Sequence, residues 1–314
     1  MRWLRNLVVR APYAQPVDLQ GRRMIVTGAA PGSIGFATAR TLASWGADVT
    51  VTTRSDPASL AQALRASLSA GSGSIDVDVL DLADAKSVSR FAGAYAERHG
   101  RLDVLVNNAG IHLDLLSQWR EPRLVDGIEI HWRTNYLGTM QLTHALLPLL
   151  LQGAVQTKDA RVVNVVSMLH ARGRNAFLFA PITPYNSWVA YGTSKLALVH
   201  ASFELQRRHA AAGLQAYCLH PGAVFSNIAA KGLAGNPRLA AIRDLFAPVE
   251  RFFLLTPDEG AQTQIRCATA AQLAGGQYFR NCAPAFASGD ALDAQAASRL
   301  WDETQAWIAE ASPP

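Results

Sequence analysis

The sequence predicts a single doubly wound α/β domain, with a parallel sheet of about seven strands and helices on both of its faces. Two observations lead to this fold class. Short apolar runs alternate with helical patterns along the chain, and one run, residues 102–106, is almost continuously apolar. Such a run is typical of a strand covered on both faces, and regular alternation of strands with helices implies right-handed crossovers between parallel strands.

The strands are predicted in chain order from the apolar runs. They lie at residues 24–27, 48–53, 75–80, 102–106, 162–166 and 214–219, and a seventh lies at 277–279. Helices are predicted at residues 37–45 and 188–212, and a long helix follows the fourth strand and ends at about residue 151. The spacing of Val88, Phe91, Ala92 and Tyr95 predicts a further helix before the fourth strand. No repeat or linker interrupts the series. We therefore place one domain over residues 21–314, after a basic segment over residues 1–20.

The composition excludes several classes of protein. Of the 314 residues, 49% are hydrophobic and 17% are charged, which excludes a disordered chain. Most of the net charge of +5 lies in residues 1–23, which hold five arginines and one aspartate. We expect no nucleic-acid partner, because such a partner requires a basic face on the folded domain. The three cysteines lack the spacing of metal ligands, which favours a cytoplasmic protein without a metal site.

A glycine-rich turn joins the first strand to the first helix. It reads Thr27-Gly28-Ala-Ala-Pro-Gly32-Ser33-Ile34-Gly35. Glycines let the backbone turn tightly and let a pyrophosphate approach the free N–H groups of a helix N-terminus. The turn follows the first strand of a βαβ unit, so it predicts a Rossmann-type dinucleotide site with contacts from Gly28, Gly32, Ser33, Ile34 and Gly35.

Arg54, at the end of the second strand, indicates which dinucleotide binds. An acidic side chain at this place would bind ribose hydroxyls and repel a phosphate, but here the strand ends in Thr52-Thr53-Arg54. A guanidinium can hold a ribose 2′-phosphate with two hydrogen bonds. We therefore expect NADP(H) to be preferred over NAD(H).

Candidate catalytic residues follow the later strands in a definite order. Tyr191 and Lys195 lie four residues apart, on one face of a predicted helix. Ser167 ends the fifth strand, Asn135 lies in the long helix, and the run Asn107-Asn108-Ala109-Gly110 follows the fourth strand. A tyrosine and a lysine at this spacing are common by chance, so the ordered set carries the argument.

This ordered set resembles the short-chain dehydrogenase/reductase family, and most of all its retinol dehydrogenase-like and WW-domain-oxidoreductase-like branch. The resemblance covers roughly residues 21–308. It rests on the glycine-rich turn, the 107–110 run and five further stretches: Asn135-Tyr-Leu-Gly138, Arg161 to Ser167, Tyr191 to Ala197, His220-Pro-Gly-Ala-Val224 and Thr256-Pro-Asp-Glu-Gly260. Gly276-Gln-Tyr-Phe279 and Leu300-Trp301 extend it towards the end of the chain.

The resemblance implies roles for the matching residues. Tyr191 would exchange a proton with the substrate oxygen, Lys195 would favour the tyrosine phenolate and hold the nicotinamide ribose, and Ser167 would bind the carbonyl oxygen. Asn135 would hold a water that links Lys195 to solvent, and Asn107 would join neighbouring strands. The remaining cofactor contacts would come from Asp81, Leu82, Asn108, Ala109, Gly110, Pro221, Gly222, Val224 and Ser226.

Three positions depart from the family pattern. The phosphate turn is one residue longer than usual, because Gly35 follows Gly28 by seven positions, and its Gly-Ser-Ile-Gly form is similar to the turn of fatty-acid-synthase ketoreductases. Val166 replaces the first serine of a common Ser-Ser pair, and Ser226 stands where threonine is usual.

The substrate is expected to be a hydrophobic carbonyl compound or alcohol. The stretch between Ser167 and Tyr191 is long and rich in apolar residues, and residues 226–255 are expected to form a second wall. Residues 1–12 have the pattern of a short basic amphipathic helix, which predicts either weak contact with a membrane surface or docking on the body of the protein. The sequence leaves open whether the chain forms a homodimer.

These features predict an NADP(H)-dependent oxidoreductase that acts on a retinoid-, steroid-, lipid- or polyketide-like substrate. A ketoacyl- or enoyl-thioester reductase is an alternative. A non-catalytic NADP-binding regulator on the same fold is a second alternative, which the intact set of Ser167, Tyr191 and Lys195 opposes.

Overall fold

The computed structural model describes residues 11–113, 119–224 and 254–311. Its strands are β1 (Arg23–Val26), β2 (Asp48–Thr53), β3 (Ile75–Val79), β4 (Val104–Asn107), β5 (Leu124–Val125), β6 (Ile128–Glu129), β7 (Ala160–Val165), β8 (Leu214–His220), β9 (Gln277–Arg280) and β10 (Ala283–Ala285). Its α-helices are α1 (Ile34–Ser44), α2 (Pro57–Ala66), α3 (Ala85–Arg98), α4 (Gly138–Thr157), α5 (Ser187–His209), α6 (Pro257–Thr269) and α7 (Ala294–Ala311).

The main sheet has the strand order β10-β9-β8-β7-β4-β1-β2-β3. All neighbours pair in parallel except β9 and β10, which are antiparallel. The order reverses between β1 and β4, so the crevice at the carboxyl ends of these two strands is the place where an open α/β sheet binds ligands. The fold class predicted from the sequence is confirmed.

The sheet contains eight strands where the sequence predicts about seven. The additional strand, β10, is a three-residue edge strand whose central residue is Pro284, and such a segment carries no strand pattern. A separate two-stranded ribbon of β5 and β6 also lies outside the prediction. The seven predicted strands agree with the structure to within two residues at either end.

The long helix α4 departs from its predicted form at both ends. It runs to Thr157 and not to residue 151, because Pro148 lies inside the helix without ending it and Lys158, with φ of 59°, caps it. At its other end it is preceded by a π-helix, Trp132–Leu137, which contains Asn135. Single turns of π-helix occur frequently at functional sites. Helices α2, α6 and α7 have no counterpart in the sequence-based prediction.

Side chains near the helix N-termini explain where several helices begin. Ser33 caps α1 by accepting a hydrogen bond from the Phe36 N–H, and Asp84 caps α3 through the Lys86 N–H. Asn186 accepts two such bonds at the start of α5. Each of these bonds satisfies a backbone donor that has no partner within its helix.

Two apolar cores lie on opposite faces of the sheet. Ile25 and Leu105 face the core formed with α3, α4, α5 and α7, whereas Met24 and Val106 face the core formed with α1, α2 and α6. This alternation follows from the period of two along a strand. Helix α5 is buried along most of its length between the sheet and α7, so the side chains that it presents at the crevice are held rigidly.

The chain enters the domain through residues 11–20, which lie against its surface. The Ala14 N–H donates to the Gln262 side chain at 3.0 Å, and the Leu19 N–H donates to the Trp45 carbonyl at 2.8 Å. The predicted amphipathic helix falls mainly on residues 1–10, outside the described residues, so it stays a prediction, as does the boundary at residue 21. No helix within the described ranges is both long and apolar enough to cross a bilayer.

Candidate active site

The candidate catalytic side chains meet at the carboxyl ends of β4 and β7. Tyr191 and Lys195 lie one turn apart on α5, and Ser167 follows β7 and caps a short 3-10 helix, Met168–Arg172. The Lys195 Nζ donates to the Val165 carbonyl at 3.0 Å and lies 5.9 Å from the centre of the Tyr191 ring. Ser167 is hydrogen-bonded to the Tyr191 hydroxyl. The structure therefore brings together the serine, tyrosine and lysine that the sequence singles out.

Burial sets the protonation of this group. It raises the pKa of Tyr191 to about 12, although the hydrogen bond with Ser167 acts in the opposite direction. It lowers the pKa of Lys195 to about 8, because the charged form loses its hydration. At neutral pH the tyrosine therefore holds its proton and the lysine is still largely charged. This arrangement can give a proton to an oxygen that gains negative charge.

Asn135 connects the π-helix to the segment that follows β4. Its Oδ1 accepts the Ile111 N–H at 2.8 Å, and its Nδ2 donates to the Ile111 carbonyl at 2.9 Å and to the Ser194 hydroxyl at 3.2 Å. A Cβ atom added at Gly110 would lie 3.1 Å from the Lys195 Nζ and 3.3 Å from the Asn135 Oδ1, so both groups lie beside this glycine. The predicted water between Asn135 and Lys195 stays a prediction.

The phosphate turn is tight at two glycines and open at a third. A Cβ atom at Gly28 would lie 2.7 Å from the Ala109 Cα, and one at Gly35 would lie 2.6 Å from the Gly28 carbonyl oxygen. Gly32, with φ of 74°, has no atom within 4 Å of such a Cβ. Ser33 and Ile34 begin α1, with the Ser33 hydroxyl bonded to the Phe36 N–H. The turn thus exposes backbone at the N-terminus of α1, which suits a phosphate.

The 107–110 run supports this turn from the neighbouring strand. The Asn108 amide donates to the Thr27 and Gly28 carbonyls at 2.9 and 3.0 Å, and the Ala109 N–H donates to the Thr27 hydroxyl at 3.0 Å. Asn107 instead bonds to Asn164 at 2.8 Å, which joins β4 to β7 as the resemblance implies. With its amide engaged inside the protein, Asn108 shapes the turn around a cofactor.

The other predicted cofactor residues lie around the same crevice. Arg54 is exposed directly after β2, and Asp81 and Leu82 follow β3, with Leu82 buried. After β8, Pro221 leads into Gly222, whose Cβ would overlap Leu255, and Val224 pairs with Leu255 in an isolated bridge. Ser226 lies outside the described residues and stays a prediction.

This crevice fits a nicotinamide dinucleotide. Glycines leave room at the N-terminus of α1 for the pyrophosphate, and an exposed cation lies at the end of β2. At the other end of the crevice, a buried lysine lies beside Gly110 and within reach of the tyrosine ring. Each feature suits one part of such a cofactor: the glycines suit the pyrophosphate, the cation the adenosine ribose, and the lysine the nicotinamide ribose.

Sequence reasoning missed a group of rings that surrounds Tyr191. The His112 ring stacks on the Tyr191 ring with 4.1 Å between centroids and 14° between planes. His131 meets the same ring edge-on at 6.0 Å, and the Trp188 ring meets His112 at 5.4 Å. These residues come from three separate segments and share no motif. Only the fold brings them together.

The long segment between Ser167 and Tyr191 divides into two parts. Leu178 is buried in the core, and Phe179 packs against that core beneath the Arg299 guanidinium, 3.9 Å from its ring centre. Tyr185 and Trp188 instead lie towards the site, where the Tyr185 hydroxyl donates to Glu129 at 2.9 Å. Only the second part has the position expected of a pocket wall, and the first part packs on its own domain. The expected second wall, residues 226–255, falls almost entirely outside the described residues.

Comparison with known proteins agrees with this geometry. The family model for short chain dehydrogenases matches residues 22–235. Retinol dehydrogenase 11 of Homo sapiens is 34% identical over 302 residues, which cover 95% of this chain and 89% of that protein.

Two solved structures share the fold. An uncharacterised protein from Mycobacterium paratuberculosis has a TM-score of 0.68 at 31% identity, over 95% of this chain and 97% of that one. RhlG of Pseudomonas aeruginosa, in an active-site complex with NADP, has a TM-score of 0.62 at 27% identity, over 88% of this chain and all of the other. The present chain belongs to the short-chain dehydrogenase/reductase family of oxidoreductases and is retinol dehydrogenase-like.

Proposed function

We propose that the protein is an NADP(H)-dependent carbonyl reductase/alcohol dehydrogenase that acts on a hydrophobic substrate. The observation that carries the proposal is the meeting of Ser167, Tyr191 and Lys195 at the carboxyl end of β7. The Tyr191 phenol is protonated at neutral pH, because burial raises its pKa to about 12. A proton donor is needed for reduction, whereas oxidation requires the phenolate.

The residues of the chain divide the work of this reaction. Ser167 donates a hydrogen bond to the carbonyl oxygen, where negative charge develops, and Tyr191 transfers its proton to that oxygen. The Lys195 ammonium stabilises the phenolate that remains, and the buried surroundings strengthen this attraction. The reduced nicotinamide, when bound, supplies the hydride.

The preference for NADP(H) rests on Arg54. Its guanidinium is exposed at the end of β2, on the side of the crevice where an adenosine ribose is expected. We expect Arg54→Ala to weaken NADPH by about 1.5 kcal/mol or more and to leave NADH nearly unchanged, since only the former carries the 2′-phosphate. Fluorescence titration with both cofactors measures the difference. Equal losses for the two would mean that Arg54 does not read the phosphate.

The hydrophobic substrate class rests on the rings at the site. Trp188 lies beside the His112 ring, which stacks on Tyr191, and Tyr185 reaches Glu129 through its hydroxyl. Met168, directly after Ser167, is 48% exposed. Pockets for small molecules combine such apolar walls with a few polar groups that orient the ligand.

A panel of carbonyl compounds tests the function. NADPH oxidation is followed with retinal, steroid ketones, ketoacyl and enoyl thioesters and simple aldehydes. We expect turnover with an apolar carbonyl compound, and at least ~10²-fold less turnover by Tyr191→Phe with unchanged NADPH binding, because the variant keeps the ring and lacks the proton. Wild-type turnover by Tyr191→Phe contradicts the mechanism, and turnover of thioesters alone would indicate the alternative reductase.

Weak contact of residues 1–12 with anionic membranes is a further part of the proposal, supported by the basic amphipathic pattern of the sequence. Deletion of these residues is expected to abolish co-sedimentation with anionic vesicles at low salt and to preserve activity on a soluble aldehyde. Failure of the full-length protein to co-sediment would exclude this contact.

A further inference from the structure

We propose that Glu129, His131 and His112 form a positioning network that holds the Tyr191 ring in the plane required for proton transfer. The inference rests on the proposed function, because it takes Tyr191 as the proton donor. None of the three residues carries a family role or a motif that the sequence reveals.

The contact with Tyr191 is made by ring faces and edges. His112 is buried and lies flat on the Tyr191 ring at 4.1 Å, while His131, fully buried, stands nearly perpendicular to it at 83°. Offset stacking and edge-to-face contacts are the two favoured geometries of ring pairs. Together they fix both the tilt and the rotation of the phenol, whose hydroxyl must meet the substrate oxygen within hydrogen-bond distance.

The two histidines are connected through the backbone. The His131 Nδ1 lies 2.8 Å from the Glu129 Oε1, and the Leu113 N–H approaches the His131 Nε2 at 3.4 Å. A carboxylate can only accept and a backbone N–H can only donate, so His131 must carry its proton on Nδ1 and leave Nε2 free to accept. This tautomer attaches residue 113 to His131 and thereby holds the neighbouring His112 against Tyr191.

Glu129 stabilises that tautomer and joins three parts of the site. Burial alone would raise its pKa, but the hydrogen bond with His131, assisted by the Trp132 N–H and the Tyr185 hydroxyl, keeps the pKa below its usual value. The Trp132 N–H donates to Oε2 at 2.8 Å and the Tyr185 hydroxyl to Oε1 at 2.9 Å. The carboxylate thus connects the β5–β6 ribbon, the start of the π-helix and the segment before α5.

The geometry favours positioning over metal binding. No group of three or more histidine, cysteine, aspartate or glutamate side chains converges on a metal position within the described part of the chain. His131 has both of its nitrogens in contact with protein groups. In this arrangement a carboxylate orients a histidine, and the histidine ring in turn packs against its neighbours and holds them in place.

Glu129→Gln tests the network while conserving size. If the new amide turns its NH₂ group towards His131, the histidine must accept at Nδ1 and donate at Nε2, which opposes the Leu113 N–H. If the NH₂ group turns towards Trp132, it opposes that N–H instead. We expect kcat to fall about 10-fold or more, with the KM for NADPH within about twofold of wild type, as for a displaced but intact catalytic group. Glu97→Gln, on the exposed face of α3, is the matched control.

His112 provides a second and independent pair of variants. His112→Ala removes the stacked ring and is expected to lower kcat about 10-fold, whereas His112→Phe restores the ring face and is expected to recover most of that loss. This pair keeps the inference testable if Glu129→Gln does not fold. Equal kcat values for the alanine and phenylalanine variants would overturn the role of the stack.

A spectroscopic measurement separates this inference from the proposed function. Long-range proton–nitrogen spectra of histidine-labelled protein are expected to show His131 protonated at Nδ1 in the wild type, with a His131→Gln variant for assignment. A wild-type Nε2–H tautomer overturns the network whatever the activity. If Tyr191→Phe turns over like the wild type, the proposed function fails, while the tautomer still reports on the network. If Tyr191→Phe is inactive and Glu129→Gln keeps full kcat, the network alone is wrong.

Discussion

The two sides of the site are built in different ways. The cofactor side, residues 27–35 and 107–110, is held by backbone groups and glycines in close contact, such as Gly28 against Ala109. The substrate side, described over residues 119–137 and 167–188 together with 111–113, is held by rings and side-chain bonds, such as the bond between Tyr185 and Glu129. Contacts between distant segments build both sides, but short sequence motifs mark only the first.

The largest expected effect is the loss of stability when a methyl group is added to the tightly packed cofactor side. In Gly28→Ala, a methyl group would lie 2.7 Å from the Ala109 backbone at a residue with φ of 72°. We expect the free energy of unfolding to fall by about 3 kcal/mol, from left-handed strain together with overpacking. Urea unfolding followed by circular dichroism measures this loss.

Gly32→Ala is the matched control for that substitution. Gly32 has nearly the same φ, 74°, but its added methyl group would meet no atom within 4 Å. We expect a loss of about 1 kcal/mol from strain alone, together with weaker NADPH binding, because the methyl group enters the space assigned to the pyrophosphate. Equal destabilisation by the two variants would show that contact with Ala109 is not what makes the cofactor side rigid.

The same contrast explains what could be predicted from the sequence. The strands, the phosphate turn and the Ser167, Tyr191 and Lys195 set were predictable because each is encoded by neighbouring residues or by an ordered series of short motifs. Glycine in a turn and apolar residues in a strand report local conformation directly. The fold class and the family were confirmed on this basis.

The substrate side was not predictable in the same way. His112 contacts both His131 and Trp188 only because the segment after β4 lies beside the start of the π-helix and the start of α5, and no spacing along the chain encodes that meeting. The π-helix itself was missed because its residues fit the pattern of an ordinary helix. β10 was missed because three residues around Pro284 pair only at an existing sheet edge.

A smaller effect concerns Tyr191 and Lys195, which lie between the cofactor side and the substrate side. Reduction needs a protonated Tyr191 and a charged Lys195, whose pKa burial lowers to about 8. Lysine is charged below its pKa, so reductive kcat is expected to be level below pH 8 and to fall up to about tenfold per pH unit above it. Oxidation of the alcohol needs the phenolate beside a charged Lys195, so it is expected to rise with pH up to about pH 8 and to level off above it. Parallel pH profiles of the two directions, with saturating cofactor, check this; a rise of both would contradict the assignment of Tyr191 as the acid in reduction.

The smallest expected effect concerns the rear of the substrate side. The His200 Nε2 lies 2.8 Å from the Asn175 Oδ1, in the segment that packs on the core, and Asn175 in turn bonds to Asp290. Since an amide oxygen only accepts, Nε2 carries the proton of the neutral ring, and burial lowers the pKa of His200 to about 4. Its free pKa is near 6.5, so the unfolded chain takes up a proton first as the pH falls.

The contribution of His200 to stability is therefore complete above pH 6.5 and is lost as the pH falls from there towards 4. We expect His200→Gln, whose amide can still donate to Asn175, to reduce the loss of unfolding free energy between pH 7 and pH 5 by about 1 kcal/mol. His220, at the end of β8, has its pKa lowered to about 4 in the same way, mainly by burial. His220→Gln is expected to give a similar reduction. Urea unfolding at the two pH values measures both variants, and if His200→Gln unfolds with the same pH dependence as wild type, protonation of His200 does not limit the acid stability of the substrate side.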